Sequence, residues 1–302
     1  MIGNMSSLET SSVAHKLYEL AFQMTPVGMS FVTIDRRGLH CNPALCSFLG
    51  RTAEELALIE IASITHPEDQ NLHVEMHRKL IAGEIHRYAL DKRYIHKDGH
   101  TIWAHLVVAS VGDDIDIPRM VLSQLVDISA RVALSEQLEY QASHDKLTGL
   151  GNRAKLFSHL ENAIDQIDSE LSFAVLYLDL DGFKSINDRL GHAMGDRALV
   201  HVAGQIRAAL GRNDFAARIG GDEFVVVAKH KAITDYAPEL AKLILQGISV
   251  PVLWSGHALT LSASIGVAFG SGDSPDAILS LADDALYAAK RLGKNRSVIS
   301  AG

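Results

Sequence analysis

The 302-residue chain has only two cysteines, Cys41 and Cys46. Two thiols make no disulfide framework; they fit a reducing compartment and read as small buried hydrophobes. No run approaches the roughly 20 apolar residues that span a bilayer, so membrane insertion is not expected. Residues Met1 to Ser12 have neither the basic start nor the apolar core of a secretion leader, which makes a cytoplasmic location the expectation. Lysine- or arginine-rich blocks are absent and the formal net charge is −8. That excludes a nucleic-acid-binding surface as the main function, although one local pocket with a metal is enough for a nucleotide. No fixed-period repeat is present.

What is there fits a soluble globular protein: 47% hydrophobic and 21% charged residues, over a length sufficient for two domains. In the first half, Val27–Ile34 reads as a strand and Asp35-Arg36-Arg37-Gly38 as a turn. Asn42-Pro43-Ala44 opens a short helix, and Thr52 to Glu55 has capping-box spacing. Strands over His86–Ile95 and Thr101–Val111 meet at Lys97-Asp98-Gly99-His100, where Asp-Gly marks a hairpin. Val121–Ile128 closes the set. The order of Asn42-Pro43-Ala44, Gly50 with Glu54-Glu55-Leu56, His66-Pro67-Glu68-Asp69, Lys97-Asp98-Gly99 with Trp103, and Val126-Asp127-Ile128-Ser129 resembles a PAS sensor domain over residues 16–130. The resemblance implies an antiparallel sheet with flanking helices, and a ligand or signal that the sequence does not identify. His73 and His77 stand four apart, as two metal ligands could, but no third ligand accompanies them and they read as surface or packing histidines. Cys46 lacks the context of a photoreactive flavin thiol.

Residues 129–144 read as a linker helix, with Ala130, Leu134, Leu138 and Gln141 at a spacing of about 3.5 residues. Two heptads fit either a plain amphipathic linker or a paired signalling helix. Beyond it, helices and strands alternate: a strand over Leu171–Leu180, a helix over Asp196–Leu210, a hairpin, a helix over Tyr236–Ile248, a strand over Leu259–Phe269 and a helix over Pro275–Leu292. The fold class is therefore α+β in two domains.

The hairpin carries the chemistry. Gly220 and Gly221 lie between Phe215-Ala216-Ala217 and Val225-Val226-Val227. Their missing side chains let a bulky anion approach backbone N–H groups. Asp222 and Glu223 follow, where a divalent cation would sit if the anion were a phosphate. Asp179-Leu180-Asp181 closes an apolar strand, with both aspartates on one face; such a pair is costly unless solvated or metal-bound.

The string Gly220-Gly221-Asp222-Glu223-Phe224 resembles the signature of the GGDEF family, the diguanylate cyclases. Six further blocks stand in register with it. They begin at Asp145-Lys146-Leu147-Thr148-Gly149, Phe183-Lys184-Ser185-Ile186-Asn187-Asp188, Gly191-His192 with Gly195-Asp196, Ser264-Ile265-Gly266, Ala282-Asp283-Asp284-Ala285-Leu286-Tyr287 and Gly293-Lys294-Asn295.

For residues 143–302 this resemblance implies a ferredoxin-related, palm-like domain. Its activity would be condensation of two GTP molecules to cyclic di-GMP and two pyrophosphates, in a homodimer. It implies Mg²⁺, or Mn²⁺, on Asp179, the Leu180 carbonyl, Asp222 and Glu223. Asp222, Glu223 and Lys184 are the implied catalytic residues, with ligand and base roles left open between the two acids. Gly220, Gly221, Asn187, Asp196, Lys290 and Lys294 are the implied GTP contacts, Asn187 and Asp196 reading guanine. The family's inhibitory Arg-x-x-Asp motif is incomplete here: Asp214 is present but Gly211 stands at the arginine position, which implies weak product inhibition. The competing reading is a catalytically silent domain acting as a GTP or cyclic di-GMP receptor or signalling adaptor.

Overall fold

Alternation of buried and more exposed side chains along β-strands builds the first five-stranded sheet of the chain. The computed structural model describes residues 7–34, 39–72, 74–112, 119–166, 172–254, 257–270 and 274–301, and the chain divides into units Met1–Glu136 and Gln137–Gly302. The first unit runs α1 (Ser7–Met24), β1 (Gly28–Thr33), β2 (Leu39–Cys41), α2 (Pro43–Leu49), α3 (Ala53–Leu58), α4 (Val74–Ala82), β3 (Arg87–Ile95), β4 (Thr101–Val111) and β5 (Met120–Asp127). The strands form one antiparallel sheet in the order β2-β1-β5-β4-β3. On β4, Ile102, Ala104, Leu106 and Val108 are buried with period two, and the last three pack with Leu45, Leu49, Leu56 and Leu80 of the helices.

Local signals in this half act as the sequence suggests. Thr52 Oγ1 accepts from the Glu55 N–H at 3.2 Å and Glu55 Oε2 accepts from the Thr52 N–H at 3.0 Å, a complete capping box. Asn42 is fully buried and fully used: its Oδ1 accepts from Leu45 and Met29, and its Nδ2 donates to the Phe22 and Val27 carbonyls. The turn expected at Asp35–Gly38, and His73, lie outside the described residues. His77 is engaged with the Tyr88 hydroxyl at 3.4 Å. Both cysteines are free, with thiols 3.8 Å apart, and burial pushes the Cys41 thiol up to about 11.

Helix α5 (Ser129–Ser143) runs across the division at Glu136 and has no buried residue. The second unit continues with α6 (Arg153–Asp165), β6 (Ser172–Leu180), α7 (Phe183–Leu190), α8 (His192–Ala209), β7 (Phe215–Gly220), β8 (Glu223–His230), α9 (Ile233–Ile248), β9 (Val252–Trp254), β10 (His257–Leu259), β11 (Ala263–Phe269), α10 (Pro275–Arg291) and β12 (Ser297–Ile299). Its main sheet has the order β12-β11-β6-β8-β7, antiparallel except for the β11/β12 pair. Helices α8 and α9 cover one face and α6 and α10 the other. Central strands are thus apolar on both sides, which explains the unbroken Val225-Val226-Val227 run. The strand expected over Leu259–Phe269 is two elements: Leu259 pairs with Val252 in a separate hairpin, and β11 begins at Ala263.

Gly266 sets how closely α10 lies on β11. A Cβ there would fall 1.9 Å from the Ala282 carbonyl oxygen and 2.2 Å from the Leu286 nitrogen, both backbone atoms. Gly266→Ala is expected to lower the unfolding free energy by about 1–3 kcal/mol or more, read from the urea midpoint at unchanged slope.

Candidate functional site

Strands β6 and β8 pair from Ser172↔His230 to Asp179↔Glu223. That register sets two carboxylates directly opposite each other, an arrangement of like charges that destabilises a ladder. Asp222 precedes Glu223 in the turn, and its carbonyl accepts from the Leu180 N–H at 3.4 Å. The N–H and C=O of one strand residue point the same way, so the Leu180 carbonyl faces this turn too. From α10, Lys290 Nζ reaches Asp179 Oδ1 at 2.8 Å, and Asp283 adds a further negative charge.

The turn has the geometry expected of its glycines. Gly220 and Gly221 have φ of 157° and 51°, and an added Cβ would meet nothing within 4 Å at either. Openness rather than crowding defines the tip. It is held from below: Arg218 donates to the Gly221 carbonyl through Nε at 2.9 Å and Nη2 at 2.7 Å, and its Nη1 spans both oxygens of Asp145 at 3.1 Å. The Asp145 carboxylate also accepts from the N–H and hydroxyl of Thr148. Burial pushes this carboxyl up, but the Thr148 and Arg218 bonds outweigh it and hold it low. In the sequence Asp145 and Thr148 stand only as parts of a motif; with Arg218, they become visible as positioning residues once the turn is folded.

Electrostatics separate the acids. Asp222 is raised above the ordinary carboxylate range by burial and then by Asp179, with Lys290 and Arg218 pulling the other way. Glu223 is raised by burial and then by Asp179, Asp222 and Asp283. Asp181, paired with Asp179 in the sequence reading, is used differently. It accepts from the Ser264 hydroxyl at 2.8 Å and from the Asn295 N–H at 3.1 Å. It therefore tethers the turn after α10, where Gly293, Lys294 and Asn295 all have positive φ. Lys294 is exposed there, while Lys290, expected on phosphates, lies against Asp179.

The remaining GTP candidates lie on α7 and α8. Lys184 and Asp196 are exposed. Asn187 Oδ1 is buried without a hydrogen-bond partner among the described residues, against Gly195, where a Cβ would come within 1.9 Å of it. An unsatisfied buried acceptor costs about 1–3 kcal/mol and is where a ligand donor would fit. Gly182 opens α7 with φ 73° and no side-chain cap, leaving its first N–H groups to other acceptors. Asp214 is otherwise engaged: it accepts from the Gly211 N–H at 2.8 Å, the Lys229 N–H at 3.0 Å and the Tyr236 hydroxyl. A Cβ on Gly211 would stand 2.8 Å from that hydroxyl, a steric reason for glycine at the arginine position.

As a metal centre, Asp179, Asp222, Glu223 and the Leu180 carbonyl offer hard oxygen donors and excess negative charge, which suits Mg²⁺ held by one or two carboxylates with phosphate oxygens completing its shell. The tighter His/Asp group among the described residues is His96, Asp98 and His100, with ligand atoms within 4.8 Å of one another. It is the β3–β4 turn itself, where both imidazoles contact Asp98 Oδ1 at 2.9 and 2.5 Å.

The raised carboxyls have a thermodynamic consequence. Between the ordinary carboxylate range and their folded values, the folded chain holds more protons than the unfolded one. Their stabilisation is fully present below that window and lost as pH rises through it. Asp222→Asn is therefore expected to stabilise metal-free protein at neutral pH, by on the order of 1 kcal/mol or less given solvent screening, and so to raise its melting temperature. Added Mg²⁺ should raise the melting temperature of the wild type more than that of the variant. Thermal unfolding with and without Mg²⁺ checks both.

Residues 142–296 match the family model described as the diguanylate cyclase GGDEF domain, and residues 38–121 match the PAS fold. The bifunctional diguanylate cyclase/cyclic di-GMP phosphodiesterase MucR of Pseudomonas aeruginosa is 44% identical over 164 residues, 53% of this chain and 24% of MucR. Diguanylate cyclase TpbB of the same species is 39% identical over 189 residues, 61% of this chain and 43% of TpbB. The chain thus spans less than half the length of these relatives. The solved GGDEF domain of TpbB covers 52% of this chain and 94% of its own, at 40% identity and a TM-score of 0.50. The coiled coil and GGDEF domain of DgcB from Caulobacter crescentus, in complex with c-di-GMP, covers 57% of this chain and 93% of its own, at 28% identity and a TM-score of 0.52. With the glycine turn, the flanking acids and a family match over half its length, this chain belongs to the GGDEF family of diguanylate cyclases and carries a PAS sensor domain ahead of the GGDEF domain.

Proposed function

We propose that this protein is an active diguanylate cyclase that condenses two GTP molecules to cyclic di-GMP in a divalent-metal-dependent homodimer, under control of its PAS domain. One observation carries the reading. Asp222 and Glu223 are raised above the ordinary carboxylate range beside an open glycine turn, with Asp179 opposite, a negative field that a triphosphate meets only together with a cation. Asp179, Asp222 and the Leu180 carbonyl hold the metal, with Glu223 as the adjoining acid. When bound, the metal neutralises phosphate charge and stabilises its build-up during transfer.

The chain's own residues supply positioning. Gly220 and Gly221 admit the phosphates, and the uncapped start of α7 with Lys184 receives phosphate oxygens. Lys294 and Lys290 would face the terminal phosphates, Lys290 giving up its ion pair with Asp179, which would be one of the residues holding the cation. Asn187 and Asp196 read the guanine edge; an Asp carboxylate accepts from its N1–H and N2–H₂, a donor pair that adenine lacks. The 3′-hydroxyl of one GTP attacks the α-phosphorus of the other and pyrophosphate leaves in line, with Asp222 or Glu223 taking the hydroxyl proton. Each domain holds one GTP, so two must face each other with two-fold symmetry. Helix α5 supports pairing: Leu134 and Leu138 are each 56% exposed, four residues apart, and DgcB is described with a coiled coil beside its GGDEF domain. A PAS signal would then act by favouring one arrangement of the pair over another.

Incubation of pure protein with GTP and Mg²⁺ should release pyrophosphate and form cyclic di-GMP. An equimolar GTP/ATP mixture should give almost only the guanine product. Asp222→Asn should lower the rate at least about a hundredfold while remaining folded. GTP binding without turnover in wild-type protein would instead mark a receptor.

Feedback through Asp214 is expected to be weak, because three donors within the fold already occupy its carboxylate. Initial rates should fall little with cyclic di-GMP in the low micromolar range. Asp214→Ala should cost about 1–3 kcal/mol of stability by orphaning those donors, without changing inhibition. Potent inhibition abolished by that substitution would overturn the assignment.

A further inference from the structure

The PAS unit contains a cavity of about 400 Å³ between the inner face of its sheet and the α2–α4 segment, within the size range of small-molecule sites. Most of its wall is aliphatic, from residues such as Leu45, Leu49, Ile64, Leu106, Val108 and Leu125. Its exposed lining includes the aliphatic Leu58, 90% exposed, and Ile61, 48% exposed, with the exposed Glu60 beside them. The family assignment has no use for one charged residue that breaks this pattern. Lys92, on β3 between Tyr88 and Tyr94, points inward, lines the cavity and is fully buried.

A buried ammonium is costly unless paired. Lys92 has three N–H donors and, among the described residues, one hydrogen-bond acceptor: Thr65 Oγ1 at 3.0 Å. The Tyr94 ring lies 4.6 Å from Nζ and offers its face. The nearest acid acting on it, Asp69, is held by its neighbour: Oδ2 accepts from the Arg93 N–H and Nε at 2.7 and 3.0 Å, and Oδ1 from Nη2 at 2.6 Å. Burial lowers the Lys92 ammonium to about 8, partly offset by Asp69, so it is still mostly charged at neutral pH. Two donors and a positive charge thus face an apolar chamber whose other polar wall includes the cross-strand hydroxyl pair Ser30 and Ser123.

We infer that this cavity binds a monocarboxylate with an apolar body, its carboxylate on Lys92 Nζ and its hydrocarbon against the aliphatic wall. Among the described residues no arginine lines the chamber, which disfavours a polyanion such as a phosphate ester. A neutral apolar molecule would leave the ammonium unpaired.

Calorimetric titration of the full chain with octanoate, decanoate and dodecanoate, each against its matched primary alcohol, tests the inference. At least one acid should bind about ten- to a hundredfold more tightly than its alcohol, the range for a hydrogen bond to a charged group. Lys92→Met, which keeps length and removes charge, should erase that preference and leave alcohol binding equal or stronger. The acid–alcohol comparison needs only wild-type protein. Equal affinities for acid and alcohol, undiminished acid binding by Lys92→Met, or no binding of any acid would each overturn the proposal. None of these outcomes bears on cyclase activity, which is measured with GTP alone.

Discussion

A β-ladder gives its residues no choice of neighbour, and the functional chemistry of this protein depends on that constraint. The pairing of β6 with β8 is fixed by apolar side chains buried on both faces of the sheet. A one-residue slip would turn that set inside out. Holding the register therefore forces Asp179 against Glu223, with Asp222 beside them at the turn. The repulsion is sustained by the core behind it, and Arg218, braced by Asp145, keeps the turn in place.

Aspartates elsewhere in the chain show what distinguishes this group. Asp69, Asp145, Asp181 and Asp214 are each met by two or more donors from backbone N–H groups, hydroxyls or guanidinium. They act as structural ties. Asp222 and Glu223 are instead dominated by burial and by neighbouring acids, Asp179 first among them. The same residue type serves as tie or as reactive group according to whether the fold supplies donors.

Both units hold a charge that the fold itself does not balance, of opposite sign. In the GGDEF domain it is a half-buried negative cluster suited to a cation with a triphosphate. In the PAS domain it is one fully buried ammonium facing hydrocarbon. Each is a place where uncompensated charge lowers stability locally, the expected relation between such groups and function.

The sequence by itself determined the α+β class, the strands and most helices of both halves, the capping box at Thr52 and Glu55, and the glycine turn with its acids. All are local: a period of two, a cap three residues away, a turn that only glycine permits. The family and its implied site residues were also legible, because motifs recur in a fixed order. Tertiary structure alone decided which charges meet. That Lys290 lies on Asp179, that Asp181 serves Ser264 and Asn295 rather than the cluster of Asp179, Asp222 and Glu223, and that Asp214 is taken by Tyr236 and Lys229 depend on residues far apart in the chain. Lys92 is the clearest case. In the sequence it is an ordinary lysine among charged neighbours, because burial is a property of what packs around a side chain, and strand spacing says which face it takes but not whether that face is wet.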